Sequence, residues 1–490
     1  MKKIIALLAP FYGFLFLTAY IRSATVNVVY TDYMRLVNSY LENVFSFAPY
    51  MHGDILTRIP INYIQRILNV TLFSYSTTFD MMLGAAGLAF SAAVAARWCM
   101  EKNLPVWTML LVQVILFSLN KWEMLTNGSG WVHFAAFGLF WYHYMVWDRA
   151  ASAETGTLPA RAGDARRLLF LPPFIILLFA GPYCAVYAVT LLIGEAFSVI
   201  VMKRGRAAAA KRSIAVLVPL LLYIASRSVA VEERAGATTE SIVTVAGRSP
   251  LLLPEFFVRS FASMAVGGEA AEHFRLSGGM LTALGGIVLL LYAAAFYLNF
   301  RQRLYERTTF PLLLLTAGFL NHVLITASRW IFLNPSYGMS SRYALQYQIG
   351  IVGILVTFAL SRQEDGFRVG EKQENAEAQA QGSAEGQAQG NAEGQAASPR
   401  AGRRVISRKL LRWLTAFSAA LFLIGNVVTT AREIHMAPYR KERFQLMRET
   451  ALDFENRTDA ELKDILQYHD PVRTRKALTL LKERRLNIYE

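Results

Sequence analysis

VVYTDYMRLVNSYLENVFSFAPYMHGDILTRIPINYIQRILN, residues 28–69, interrupts a chain that otherwise reads as membrane. It lies in the polar segment Ser23–Thr78, between the apolar runs Ile4–Ile21 and Phe79–Ala96. Connections between packed elements are usually short, so a long one rich in acids and arginines is a place to look for chemistry. Within it Tyr33, Leu36, Val37, Tyr40, Leu41, Val44 and Phe45 recur at helical spacing behind Thr31 and Asp32, and Leu56, Ile59, Tyr63, Ile64, Ile67 and Leu68 recur behind Asp54. This spacing predicts two amphipathic helices lying on the membrane surface, with the two acids either capping them or acting chemically.

Composition sets the class. Hydrophobic residues make up 54% of the 490 and charged residues only 17%, too little polar material to cover a soluble protein of this size. The apolar runs are long and continuous, which fits helices and excludes the short alternating segments of a barrel. The chain is expected to be all-α and polytopic, with about eleven spans. After Ile4–Ile21 and Phe79–Ala96 these are Val106–Leu119, Val132–Trp147, Leu168–Ala180, Tyr183–Val201, Ile214–Ser228, Leu281–Phe300, Pro311–Ser328, Leu345–Leu360 and Leu411–Thr430. The net charge of +15 is dispersed among short loops rather than gathered into a nucleic-acid footprint. Cys99 and Cys184 both sit in or beside apolar runs and support neither a disulfide framework nor a thiolate metal site.

With eleven spans and a cytoplasmic N-terminus, the basic loops alternate onto the cytoplasmic side, including KRGRAAAAKR at residues 203–212. Omitting Leu168–Ala180, which Pro172 and Pro173 interrupt, would put that segment outside. The chain then divides into a multi-pass domain over residues 1–361 with its first outer loop at 23–78, a linker at 362–404, a last span at 405–430 and a helical extracytoplasmic tail at 431–490. The linker repeats AEAQAQGS, AEGQAQGN and AEGQAASP, has no large apolar residue to bury, and is expected to be disordered. Thr458–Asp459 and Pro471 open the tail helices, which are expected to dock on the outer loops.

Candidate chemistry gathers on the outer face. Asp32 follows the first span closely enough to take a proton from an acceptor hydroxyl near the interface. His52 and Arg58 accompany Asp54, and one histidine suits a polar role better than a metal. In NKWEMLTNGSGW, Glu123 is a carboxylate at a membrane edge, while Trp122 reads as an aromatic anchor. Arg329 and Arg342 flank one short loop holding Tyr337, Ser340, Ser341 and Tyr343, against the inward bias of basic residues. A guanidinium there can grip a phosphate bidentately or snorkel to headgroups. Glu195, His133, His143 and His322 read as structural groups on apolar helices.

The strings YTDYMRL, MHGDILTRIP, NKWEML and SSRY, with the cytoplasmic N-terminus and the span count, resemble the C-type (GT-C) membrane glycosyltransferases that use polyprenyl-phosphate sugars, in a broad bacterial branch. The resemblance covers roughly Met1–Leu360. It implies a plasma-membrane enzyme that moves a sugar from a polyprenyl-phosphate donor to a glycan or lipid acceptor of the cell envelope. Asp32, Asp54 and Glu123 would be the catalytic candidates, and His52, Arg58, Arg329, Arg342 and Tyr343 would bind substrate. No cofactor is implied, a divalent metal being the one addition left open. The chain departs from the family in lacking the paired acids Asp-Asp or Asp-x-Asp in the first loop, since Asp32 stands in TDY. The competing readings are a flippase for lipid-linked saccharides, a polysaccharide polymerase or ligase using a lipid-pyrophosphate donor, and a non-catalytic scaffold.

Overall fold

The computed structural model describes residues 2–48, 59–154, 161–179, 181–227, 236–363 and 407–490. His52, Asp54, Arg58 and nearly all of the linker lie outside them. The described residues are mostly helical and contain no strand. Among the described residues eight helices are long and apolar enough to cross a membrane: Lys2–Ala24, Thr77–Glu101, Val106–Thr126, Arg206–Ser226, Gly278–Arg301, Phe310–Phe332, Ser341–Gln363 and Arg408–Leu452. Trp131–Glu154 falls outside this set because it carries His133, His143, Asp148 and Arg149. Asp164–Phe174 and Cys184–Ile200 are too short.

Among the described residues two large apolar cores are present, with two small satellite clusters around Met339 and Trp131. The larger joins the long helices, and Ser341–Gln363 runs through its middle. There Gly318 and Gly350 let two helices and the Tyr292 hydroxyl approach closely, since a Cβ on either glycine would collide. Buried polar groups tie the helices of this core. Asp148 accepts hydrogen bonds from Trp98 Nε1 (3.1 Å), Thr308 Oγ1 (2.8 Å) and the backbone N–H groups of Thr309 (2.6 Å) and Phe310 (3.3 Å), and pairs with Lys102 at 3.1 Å. A carboxylate on one helix thus caps the N-terminus of another. Glu195 is structural as its sequence context suggests, held by Trp147 Nε1 (2.7 Å) and a two-pronged Arg212 (2.7 and 2.9 Å).

The second core lies beyond the bundle. Tyr30, Tyr33, Met34, Val37, Tyr40 and Leu41 of the first loop pack there with Phe444, Met447, Ala451, Leu462, Leu466, Ala477, Leu478 and Leu481 of the C-terminal region. The apolar face of Asp32–Tyr40 therefore meets the tail helix Pro471–Glu483, not lipid, which differs from a helix lying on a membrane. Ile61–Phe73 does the reverse. Its polar Asn62, Arg66 and Asn69 are buried, while Ile64, Leu68 and Leu72 face outward. An amphipathic helix with its apolar side exposed, beside exposed Phe45 and Phe47, fits an interfacial position.

Arg408–Leu452 links the two cores. Its 45 residues extend about 68 Å, more than twice a hydrocarbon core of about 30 Å, so it leaves the bundle and continues into the second core. Leu411, Thr415, Ser418, Phe422, Asn426, Thr429, Glu433, Ala437, Phe444 and Met447 form its buried stripe at spacings of three, four and, from Ala437 to Phe444, seven.

Candidate functional site: a basic, aromatic cavity between the two cores

A cavity of about 310 Å³ opens where the second core meets the bundle. Its walls are Tyr30 and Thr31 of the first loop, Trp122, Glu123, Thr126 and Asn127 after the Val106–Phe117 helix, Arg342, one face of the long helix from Met436 to Met447, and Gln467 of the tail. Segments remote in sequence converge here because Ser118 is tied to Asn426 (Oγ to Oδ1, 2.8 Å) and the Leu119 N–H to Thr430 Oγ1 (3.0 Å).

Glu123 and Arg342 form the centre. The Glu123 carboxylate accepts Arg342 Nε at 2.5 Å and Ser341 Oγ at 3.1 Å. This pairing uses Nε and leaves both Nη groups of Arg342 without a hydrogen bond among the described residues. Asp32 makes no hydrogen bond or ion pair among the described residues, and its charge acts on Arg342. It stands one residue from the cavity wall, behind Thr31. Thr31 precedes the Asp32–Tyr40 helix at φ 43°, ψ −123°, and its side chain makes no capping bond. For a β-branched residue this is a strained backbone, held by a bond from the Thr31 N–H to the Leu466 carbonyl of the tail (2.9 Å).

The tail supplies two further guanidinium groups. Arg440 lies 3.1 Å above the Trp122 ring centre and is fixed by Glu433, which also accepts Arg432 Nη1 at 2.6 Å. Arg443 reaches the Asp464 carbonyl at 3.3 Å. Among the described residues three guanidinium groups thus line the cavity against one carboxylate, Glu123, with Tyr30, Trp122, Tyr439 and Phe444 as apolar surface. Burial raises the Tyr30 hydroxyl, with Glu123 adding to the effect, so Tyr30 stays a neutral hydrogen-bonding group.

The residues singled out in the sequence are distributed unevenly. Glu123 and Arg342 share the cavity, and Asp32 adjoins it. Arg329 and Tyr343 lie together outside the wall, with the guanidinium carbon 5.9 Å from the ring centre and Tyr343 buried in the bundle. Trp122 is a cavity wall stacked by an arginine, where its position suggested a lipid anchor. Arg440 and Arg443 were not singled out; their signal was the spacing Met436, Arg440, Arg443, Met447, which puts basic and apolar residues on one helical face. Asp80 was also missed. It accepts Tyr33 Oη and Asn69 Nδ2, both at 2.8 Å, and Gln65 Nε2, locking the first loop to the Thr77–Glu101 helix. Among the described residues no group of three or more His, Cys, Asp or Glu is placed to hold a metal ion.

Comparisons with models of known families, with curated proteins and with solved structures give no significant match.

Proposed function

We propose that the protein is a membrane glycosyltransferase that moves a sugar from a polyprenyl-phosphate donor to a glycan or lipid acceptor at the outer face of the plasma membrane. The observation carrying this reading is the cavity that combines Arg342, Arg440 and Arg443 with Glu123, beside Asp32, which has no partner among the described residues. If Trp131–Glu154, Asp164–Phe179 and Cys184–Ile200 also cross, there are eleven spans, the N-terminus is cytoplasmic, and this cavity and the tail are extracytoplasmic.

The donor phosphate binds to the Nη groups of Arg342, which Glu123 holds by Nε. Asp32 removes the proton from the acceptor hydroxyl as its oxygen attacks the anomeric carbon. The bond from that carbon to the phosphate oxygen breaks, the arginines take up the charge on the departing polyprenyl phosphate, and the configuration inverts. Three guanidinium groups exceed what a monophosphate needs, which favours a second reading: a polymerase or ligase with a lipid-pyrophosphate donor.

The test is transfer in proteoliposomes from labelled polyprenyl-phosphate and polyprenyl-pyrophosphate sugars. Asp32→Asn is expected to lower turnover by about 10²-fold or more. Arg342→Ala is expected to lower it by about 10²- to 10³-fold. Full transfer by Asp32→Asn removes it as the base. Donor movement across the bilayer without transfer would replace the reading by a flippase.

A further inference from the structure

At the other end of the bundle, we infer a binding site for the headgroup of an anionic phospholipid from the adjoining leaflet. Trp131–Glu154 begins beside the first-loop helices and ends, about 36 Å away, at a second cavity of about 400 Å³. Arg161, Lys211 and Arg212, with the buried Asp164, are the charged part of its lining. The rest of the lining is apolar: Leu168 and Leu169 lie on one helix, and the small Ala150, Ala153, Ala165 and Ala208 leave space beside them.

The charges are already sorted. Asp164 is taken by Arg167 (2.8 Å) and Arg149 (3.4 Å), Glu195 by Arg212 (2.7 Å), and Glu101 by Arg161 (2.9 Å). Lys211 has no ion pair or hydrogen bond among the described residues. Among the described residues the lining carries three cations and one anion; counting the partners Arg149, Arg167, Glu101 and Glu195 gives five and three, the same excess of two positive charges. Basic groups and an apolar lining in one cavity, between helices whose neighbouring Phe170, Ile214 and Leu217 are exposed, match a ligand that carries both a phosphate and acyl chains. A soluble phosphate would use the basic groups but not the apolar lining.

The full-length chain in mild detergent is incubated with phosphatidylglycerol or phosphatidylcholine, and retained lipid is read by native mass spectrometry. Wild type is expected to retain phosphatidylglycerol preferentially, and Lys211→Ala to lower that retention about fivefold. Lys211→Arg should restore it, and Lys203→Ala, at an exposed lysine in the adjoining loop, should leave it unchanged. Equal retention of the two lipids, an equal loss in Lys203→Ala, or failure of Lys211→Arg to restore binding would each overturn the site. Release of phosphatidylglycerol by millimolar inorganic phosphate would overturn the lipid assignment in favour of a free anion. Sugar transfer does not enter the readout, so the result stands apart from the proposed activity.

Discussion

Arg440 shows how far a residue's role depends on what surrounds it. Its guanidinium pairs with the fully buried Glu433 and covers Trp122, so removing it strips a buried carboxylate of one partner and exposes an aromatic wall. Arg440→Ala is expected to destabilise the protein by about 3 kcal/mol, read as a lowered thermal midpoint. The pair Arg440→Leu with Glu433→Gln should recover stability while donor affinity stays low. Recovery of affinity in that double variant would show that Arg440 serves only the fold. Asp148 is a purely structural counterpart, fully buried and remote from the cavity. Asp148→Ala leaves Lys102 and two backbone N–H groups without their carboxylate, and a loss of about 3–5 kcal/mol is expected in chemical denaturation.

Among the elements, the long C-terminal helix depends most on close approach. A Cβ at Gly425 would stand 1.4 Å from the Ala265 carbonyl oxygen, whereas one at Gly286 would meet open space. Gly425→Ala is expected to cost about 1–3 kcal/mol by forcing the helices apart, and Gly286→Ala to leave the thermal midpoint in place. The same helix swings the tail over the first loop, where Thr458 and Glu461 cap Asp459–Ile465 reciprocally. The backbone and hydroxyl bonds from Thr458 hold the Glu461 carboxyl below its usual range. A depressed folded pKa means the cap contributes fully above the ordinary Glu value of about 4.3 and is lost as pH falls through the folded value. Limited proteolysis should therefore find the tail more readily cut at about pH 3.5 than at neutrality, with a smaller difference in Glu461→Gln. An equal difference in both would assign the acid sensitivity to other carboxylates.

On the scale of the whole molecule, the cavity exists because two cores meet. Leu478 and Ala477 are fully buried where the tail meets the first loop, and the Leu466 carbonyl holds Thr31 in its strained conformation. Leu478→Asp is expected to detach the tail, shown by rapid proteolysis near residue 452, and to abolish donor binding while the bundle remains intact. Retained binding would show that the site does not need the tail. The helical class, the membrane character and the approximate positions of most long helices follow from the sequence alone, since long apolar runs with polar interruptions admit few other solutions in lipid. Glu123 stood out as a carboxylate at a membrane edge, and Arg342 as a basic residue set against the inward bias. What the sequence could not reveal was pairing. Nothing local distinguishes Trp122 as a lipid anchor from Trp122 beneath Arg440, or shows that Ile61–Phe73 buries its polar face because Asp80 waits there. Periodicity reports that a face will be covered; only the packing of segments hundreds of residues apart decides whether lipid, protein or substrate covers it.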